Sequence, residues 1–303
     1  MARIFYDKAP VEIQVGTYRE TLIATDCSIN FNNSQSPIYS VGKKGPIGQF
    51  PSAARAGDMS FNFLTTITGN FDSIVGVSTS TQGNIINYLA DAIKNSTDSE
   101  ASGVIVKCAG VSGVGFLNSY SFNTTANSIS SSSAAFTLFG SGTQLPVSGR
   151  LSGVSAGVGI GGTEASTVTT GIAHGRFTTM PTSLNTKLYD DTTAENPATA
   201  TIYSADYSIS FNHNPIYKIG QEFPTTTFYT NASESLNVSE DLFNSGLKFD
   251  ETAASYNLEI RGLGGANALG MKVRVKDAKQ ISTSASVGLD DIIRTQKSLT
   301  AVY

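Results

Sequence analysis

The residues able to do chemistry are few and scattered. The chain has two histidines: His174 in GIAHGRF, and His213 in SFNHNPIY. A Ser/His/Asp triad needs a nucleophile on a sharp turn beside its base, and no G-x-S-x-G accompanies either histidine. Cys27 and Cys108 are too few to form a zinc site with two lone histidines. They read as small buried residues, not as a disulfide framework. Asp190-Asp191 and Asp290-Asp291 read as solvated turns, not as a cation site. GVGIGG at 157–162 superficially matches a dinucleotide fingerprint but lacks the strand, helix and parallel βαβ unit that make one. Asn231 and Asn237 open glycosylation sequons, which carry no weight without an export route. No catalytic, cofactor-binding or metal-ligating set is therefore expected, and the chain reads as a non-enzyme.

The bulk numbers point the same way. Only 15% of residues are charged while 40% are hydrophobic, so polar uncharged residues must cover the surface. Strands and turns, or surface buried against other subunits, have that composition. A net charge of -4 argues against a basic nucleic-acid-binding face. No run reaches the roughly 18 apolar residues of a membrane helix. MARIFYDKAPVEIQ lacks the apolar core of a signal peptide, so synthesis in a cytoplasm is expected.

The elements that would position any site are mostly strands. Residues 11–15, 21–25, 27–32, 38–41, 58–65, 104–109, 115–123 and 134–139 read as strands, several with clear period-2 alternation. In 27–32, Cys27, Ile29 and Phe31 share one face. In 58–65, Met59, Phe61 and Phe63 do. Residues 82–95 form the one convincing helix: Ile85, Ile86, Leu89, Ala92 and Ile93 make an apolar stripe, with Asn84 or Thr81 as cap. Residues 33–36 read as a turn, and 43–57 as a long loop with its own role.

A stretch of the chain occurs twice. CSINFNNSQSPIYSVG at 27–42 returns as YSISFNHNPIYKIG at 207–220. On this reading Ile29 and Phe31 match Ile209 and Phe211 and point inward like them, with two residues deleted before Pro215. Residues 221–233 then answer the long loop and 236–242 the Met59 strand, while the helix has no counterpart. The block from Leu258 answers the block from Val104, and AKQISTSAS from Ala278 answers ANSISSSSA from Ala126. Three parts follow: 1–140, a Gly/Thr-rich linker or insertion at 141–199, and 200–303.

The blocks SINFNNSQSPIYSVG…DMSFNFLTT and GFLNSYSFNTTANSISSSSAAF resemble the tail tube proteins of tailed bacteriophages. The resemblance covers about 25–140 and 200–303. It implies a mainly β chain of two tandem β-sandwich or barrel domains of tail-tube type, the first with one packed α-helix. It implies a virion protein that polymerises into stacked rings, a channel for DNA delivery. With two domains per chain, three chains supply a ring of six. The long loops are then expected to touch the neighbouring ring through Lys43, Lys44, Pro46, Phe50 and Arg55, and through Gln221, Glu222, Phe223, Phe228 and Tyr229. Expected partners are further copies, other tail proteins (sheath, terminator or baseplate), and genomic DNA sliding through the lumen without specific binding. No membrane and no cofactor are expected. Other phage structural roles, in tail completion, the distal tail, the baseplate hub or head decoration, are alternatives. So are a carbohydrate-binding surface protein, which would carry an exposed aromatic platform, and an enzyme, which would carry a concave pocket with perturbed carboxylates.

Overall fold

Alternation decides most of the fold. In β6 (Ala56–Leu64) Gly57, Met59, Phe61 and Phe63 are buried, whereas Asp58, Ser60 and Asn62 are exposed. A strand built this way must cover one face with core and leave the other to water. The structure is a computed structural model. It describes residues 11–16, 18–32, 35–51, 56–67, 81–96, 103–108, 111–139, 148–149, 176–177, 186–190, 202–220, 224–241, 254–261, 269–286 and 293–303.

Among the described residues the protein is mainly β, with one short helix and a large antiparallel sheet. The early strands are β1 (Val11–Val15), β2 (Tyr18–Leu22), β3 (Ala24–Asn32), β4 (Gln35–Tyr39), β5 (Pro46–Pro51), β6 and β7 (Thr66–Ile67). Helix α1 (Ile85–Asn95) precedes β8 (Val104–Cys108), β9 (Val111–Thr125), β10 (Ser131–Phe139) and β11 (Ser148–Gly149). Then come β12 (Arg176–Phe177), β13 (Thr186–Asp190), β14 (Ile202–Ile216), β15 (Thr226–Asp241), β16 (Ala254–Arg261), β17 (Leu269–Ser286) and β18 (Arg294–Val302).

One strand order occurs twice. β3, β6, β10 and β9 lie side by side, and β8 and β1 continue from the first part of β9. β14, β15, β18 and β17 lie in the same sequence, and β16 and β13 continue from the first part of β17. So β13, from within 141–199, stands to β16 as β1 stands to β8. The ladders also correct the residue match. β3 skips Thr25 against β6, and β14 skips Tyr203 against β15. Aligning those bulges puts Ile29 with Tyr207 and Phe31 with Ile209, not with Ile209 and Phe211. Pro37, Ile38, Tyr39 and Gly42 still meet Pro215, Ile216, Tyr217 and Gly220, now without any deletion. Phe31 is 44% exposed where Phe211 is 4% exposed, so the expected inward Phe pair does not form. The match of Ala126 to Ala278 also fails: Ala126 lies in the turn after β9, and Ala278 lies inside β17. The long-loop expectations change as well. Residues 46–51 return as β5 against β4, and residues 226–233 are already β15.

The core forms between the sheet faces and α1. Phe61 stacks on Phe136 with centroids 5.9 Å apart. Asn84 caps α1, its side-chain oxygen accepting from Asn87 N at 3.0 Å. Thr81 instead donates to Asp91 at 2.6 Å. The buried Glu20 carboxylate accepts from Ile85 N at 2.6 Å, which places negative charge at the helix N-terminus. The other end reaches the second set of strands. There Lys94 donates to the buried Glu234 at 3.1 Å. Tyr207 and Tyr303 also donate to that carboxylate, at 2.6 and 2.5 Å. Burial, then the Glu234 charge, pushes the Tyr207 phenol up, so it stays a donor. Among the described residues no helix is long and apolar enough to cross a membrane.

Leu89 is buried in the α1 stripe beside Ile85 and Ile86. Leu89→Ala is expected to lower unfolding free energy by about 2–5 kcal/mol, read from urea denaturation. An unchanged midpoint would show that the stripe is not core.

Candidate functional site

The face opposite the core is paved with small polar side chains, and the ladders line them up in rows. One row runs Asp26, Asn62, Ser133, Ser121, Ser208, Ser235, Thr300 and Lys279. The next runs Ser28, Ser60, Ala135, Ser119, Ser210, Ser233 and Val302. A third runs Leu64, Ser131, Asn123, Asp206, Asn237, Ser298 and Ser282. Neighbours in a row bond one another: Ser121 with Ser133 at 2.8 Å, Ser208 with Ser235 at 2.7 Å, and Ser210 with Ser233 at 2.7 Å. Asn62 donates to Asp26 at 2.8 Å, and Asn123 donates to Asp206. The rows hold two carboxylates and one ammonium, Lys279 at the far end, and no aromatic ring. They offer hydrogen-bonding groups already engaged with each other and little positive charge to hold a polyanion. They also lack the stacking platform that a carbohydrate site uses.

Two hairpin arms extend from this sheet. β4 and β5 form the first, and the ends of β14 and β15 form the second. Each turns through a glycine in the left-handed region, Gly42 at φ 86° and Gly220 at φ 84°, where a side chain would be strained. The matching residues before those glycines are apolar and exposed: Ile38, Tyr39 and Val41 on one arm, Ile216, Tyr217 and Ile219 on the other. Val41 and Ile219 are fully exposed. Single exposed apolar residues are ordinary, whereas these form matched clusters at two exposed turns.

The expected contact residues divide. Lys43 and Lys44 lie at the exposed first tip, and Pro46 and Phe50 lie on β5. Phe228 and Tyr229 lie on β15, outside any loop. Tyr229 belongs to the arm's base, where its hydroxyl accepts from Leu117 N at 3.0 Å and its ring meets Phe211 and His213. Arg55, Gln221, Glu222 and Phe223 lie outside the described residues, as do His174, Asp191, Asp290, Asp291 and residues 157–162. Asp190 ends β13. The apolar tips and the serine rows were not singled out from sequence. The repeated PIY and its following glycine carried the signal for the tips. The rows depend on register, which no local pattern reveals.

The titratable groups show structural placements. His213 sits among Phe116, Phe139 and Tyr229, ring centroids 5.7–6.4 Å away. Its Nε2 donates to Asn118 Oδ1. Burial holds its pKa below the ordinary 6.5. The Cys27 thiol donates to the Cys108 sulfur, and that bond, followed by burial, pushes Cys27 up. Among the described residues no three His, Cys, Asp or Glu side chains gather as a metal site would require. No protein-family model matches the chain, and no curated protein matches it in sequence.

His213 yields a pH prediction. Its folded pKa is depressed, so the unfolded chain binds the proton more readily, and stability falls as pH drops through its ordinary value near 6.5. Gln35 stands at the matching position of the first arm. His213→Gln should therefore lose less stability than the parent between about pH 7.5 and about pH 5, compared by urea midpoints. Equal losses would place the acid sensitivity elsewhere.

Proposed function

We propose that the chain is a structural virion protein whose copies form stacked rings, the tail tube of a tailed bacteriophage. In this reading it comprises two tandem tail-tube-type β domains, 1–140 and 200–303, joined by 141–199, which also lends β13 to the second. It is made in the host cytoplasm and acts in the virion. Three chains supply six domains to a ring, giving pseudo-sixfold symmetry from a true threefold. Genomic DNA passes through the lumen without specific binding. Sheath, terminator or baseplate proteins meet the ends or outside of the tube. The protein is not an enzyme, and needs no cofactor and no membrane.

The observation that carries this reading is the set of polar rows, the first of which crosses eight strands from β3 to β17 with a polar side chain at every step. A wall for a sliding polyanion must be wetted yet offer few cations, because each neutralised phosphate adds salt-dependent affinity. Rows of mutually bonded Ser and Asn meet both needs. The matched apolar tips support axial stacking: they lie at equivalent places in both strand sets and are too apolar to be best left in water. Lys43 and Lys44 add charge at the first of these contacts.

Two experiments separate the parts. The purified chain should form rings and tubes visible by electron microscopy. Val41→Asp combined with Ile219→Asp should leave rings that no longer stack, because burying unpaired charge at a contact is costly. Normal tubes from that variant would remove the tips from the account. Separately, tubes with Ser133→Lys, Ser208→Lys and Ser235→Lys should retain double-stranded DNA in low salt and release it in high salt, while parent tubes retain none. Equal retention would show that these rows do not face the lumen.

A further inference from the structure

We propose that β3 of one copy pairs antiparallel with the last part of β17 of the next, in the register that β14 and β9 use within the chain. The inference deepens the ring reading and rests on it for the number of chains. The strand pairing itself follows from the repeat.

The argument uses equivalent strands. β14 is the second counterpart of β3, since both skip one residue at the same place and then run in phase against their neighbours, β15 and β6. β17 is the counterpart of β9, since each bulges once against its partner, β9 at Asn118 against β10 and β17 at Ile281 against β18. Within the chain β14 adds to the outer edge of β9, from Ser204 opposite Thr125 to Ser210 opposite Ser119. The same edges of β3 and β17 have no strand beside them among the described residues. One junction is therefore made inside the molecule, and the two halves of a second are left open at its ends.

Burial records the missing neighbour. Ile209 is 1% exposed, but Phe31, its match on β3, is 44% exposed. Phe122 is buried on β9, while Ala285, its match on β17, is exposed. Transferring the register sets Ser28 opposite Ser286, Asn30 opposite Ser284 and Phe31 opposite Thr283. In the internal junction Ile209 faces Tyr120. The open edges reverse those sizes, offering a large Phe31 to a small Thr283, as complementary packing requires. Ser28 and Asn30 would join the polar rows to Ser286 and Ser284, so the face would continue around the ring. An open, flat edge is also a hazard unless it has a dedicated partner. A second copy of this chain is the occupant that both edges fit.

The test is cross-linking of the full chain. Cys27→Ala and Cys108→Ala remove the native thiols; Ala205 already stands where Cys27 does in the second strand set. Asn30→Cys with Ser284→Cys is then oxidised with diamide, two thiols giving one disulfide as the diazene takes up both hydrogens. Facing residues of an antiparallel pair lie close enough for this bond. Denaturing gels should show a covalent ladder that ends at a closed trimer. Asn30→Cys with Thr283→Cys, aimed at opposite faces, should cross-link at least tenfold less. Oligomers that fail to cross-link in register would overturn the pairing and leave the ring reading intact. A closed covalent trimer that never stacks into tubes would uphold the pairing and overturn the tube. A chain that stays monomeric and uncross-linked at every concentration would overturn both.

Discussion

The ladder between β9 and β14 is the interaction on which the rest depends. Ser119 to Thr125 meet Ser210 to Ser204 residue by residue, and this pairing fuses two sets of strands into one sheet. Its two faces do different work. On the core side Tyr120 and Phe122 pack around Tyr207, with centroids 6.3 and 5.8 Å away. On the other side Asn123 reaches Asp206 and the serine rows continue across the seam. A slip of one residue would exchange the faces and bury the serines, so the aromatic side fixes the register that keeps the polar side continuous.

Helix α1 reinforces the seam from the core side. It is tied to β2 through Glu20, to β9 through the bond from Asn84 to Tyr120, and to β15 through Lys94 and Glu234. The Lys94–Glu234 pair is almost wholly buried, with side chains 3% and 0% exposed. Such a pair adds little net stability, but removing one partner costs about 3–5 kcal/mol by leaving a buried charge alone. Its effect is to penalise any arrangement in which the helix and the second strands separate. The two strand sets differ here: by the ladders Gly57 stands where Glu234 does. That difference fits sets that meet unlike neighbours, one lying under α1's charged end and one not.

Much of this was legible in the sequence, and the failures share a physical cause. Alternation revealed the Met59–Phe61–Phe63 face, helical spacing revealed α1, and its cap was one of two residues named. The repeat was visible in PIY and glycine because a left-handed turn constrains residue types tightly. The residue match upstream was wrong by two, since SINFN resembles SISFN. A shift of two leaves every side chain on the same face, so alternation cannot detect it. Only the bulges at Thr25 and Tyr203 set the register. The match of Ala126 to Ala278 failed because Ser- and Ala-rich segments resemble one another whatever their place. β5 was hidden because Pro46, Gly48 and Pro51 read as a loop, although an arm strand with one partner tolerates them. The serine rows were invisible because they are a property of eight strands in register and of no single one.

The central claim is that one chain contributes two equivalent strand sets to a closed wall. Native mass spectrometry of the purified ring, before any stacking, tests it most directly. The account predicts rings containing three chains. Rings of six chains, or a chain that remains monomeric where tubes should form, would contradict it.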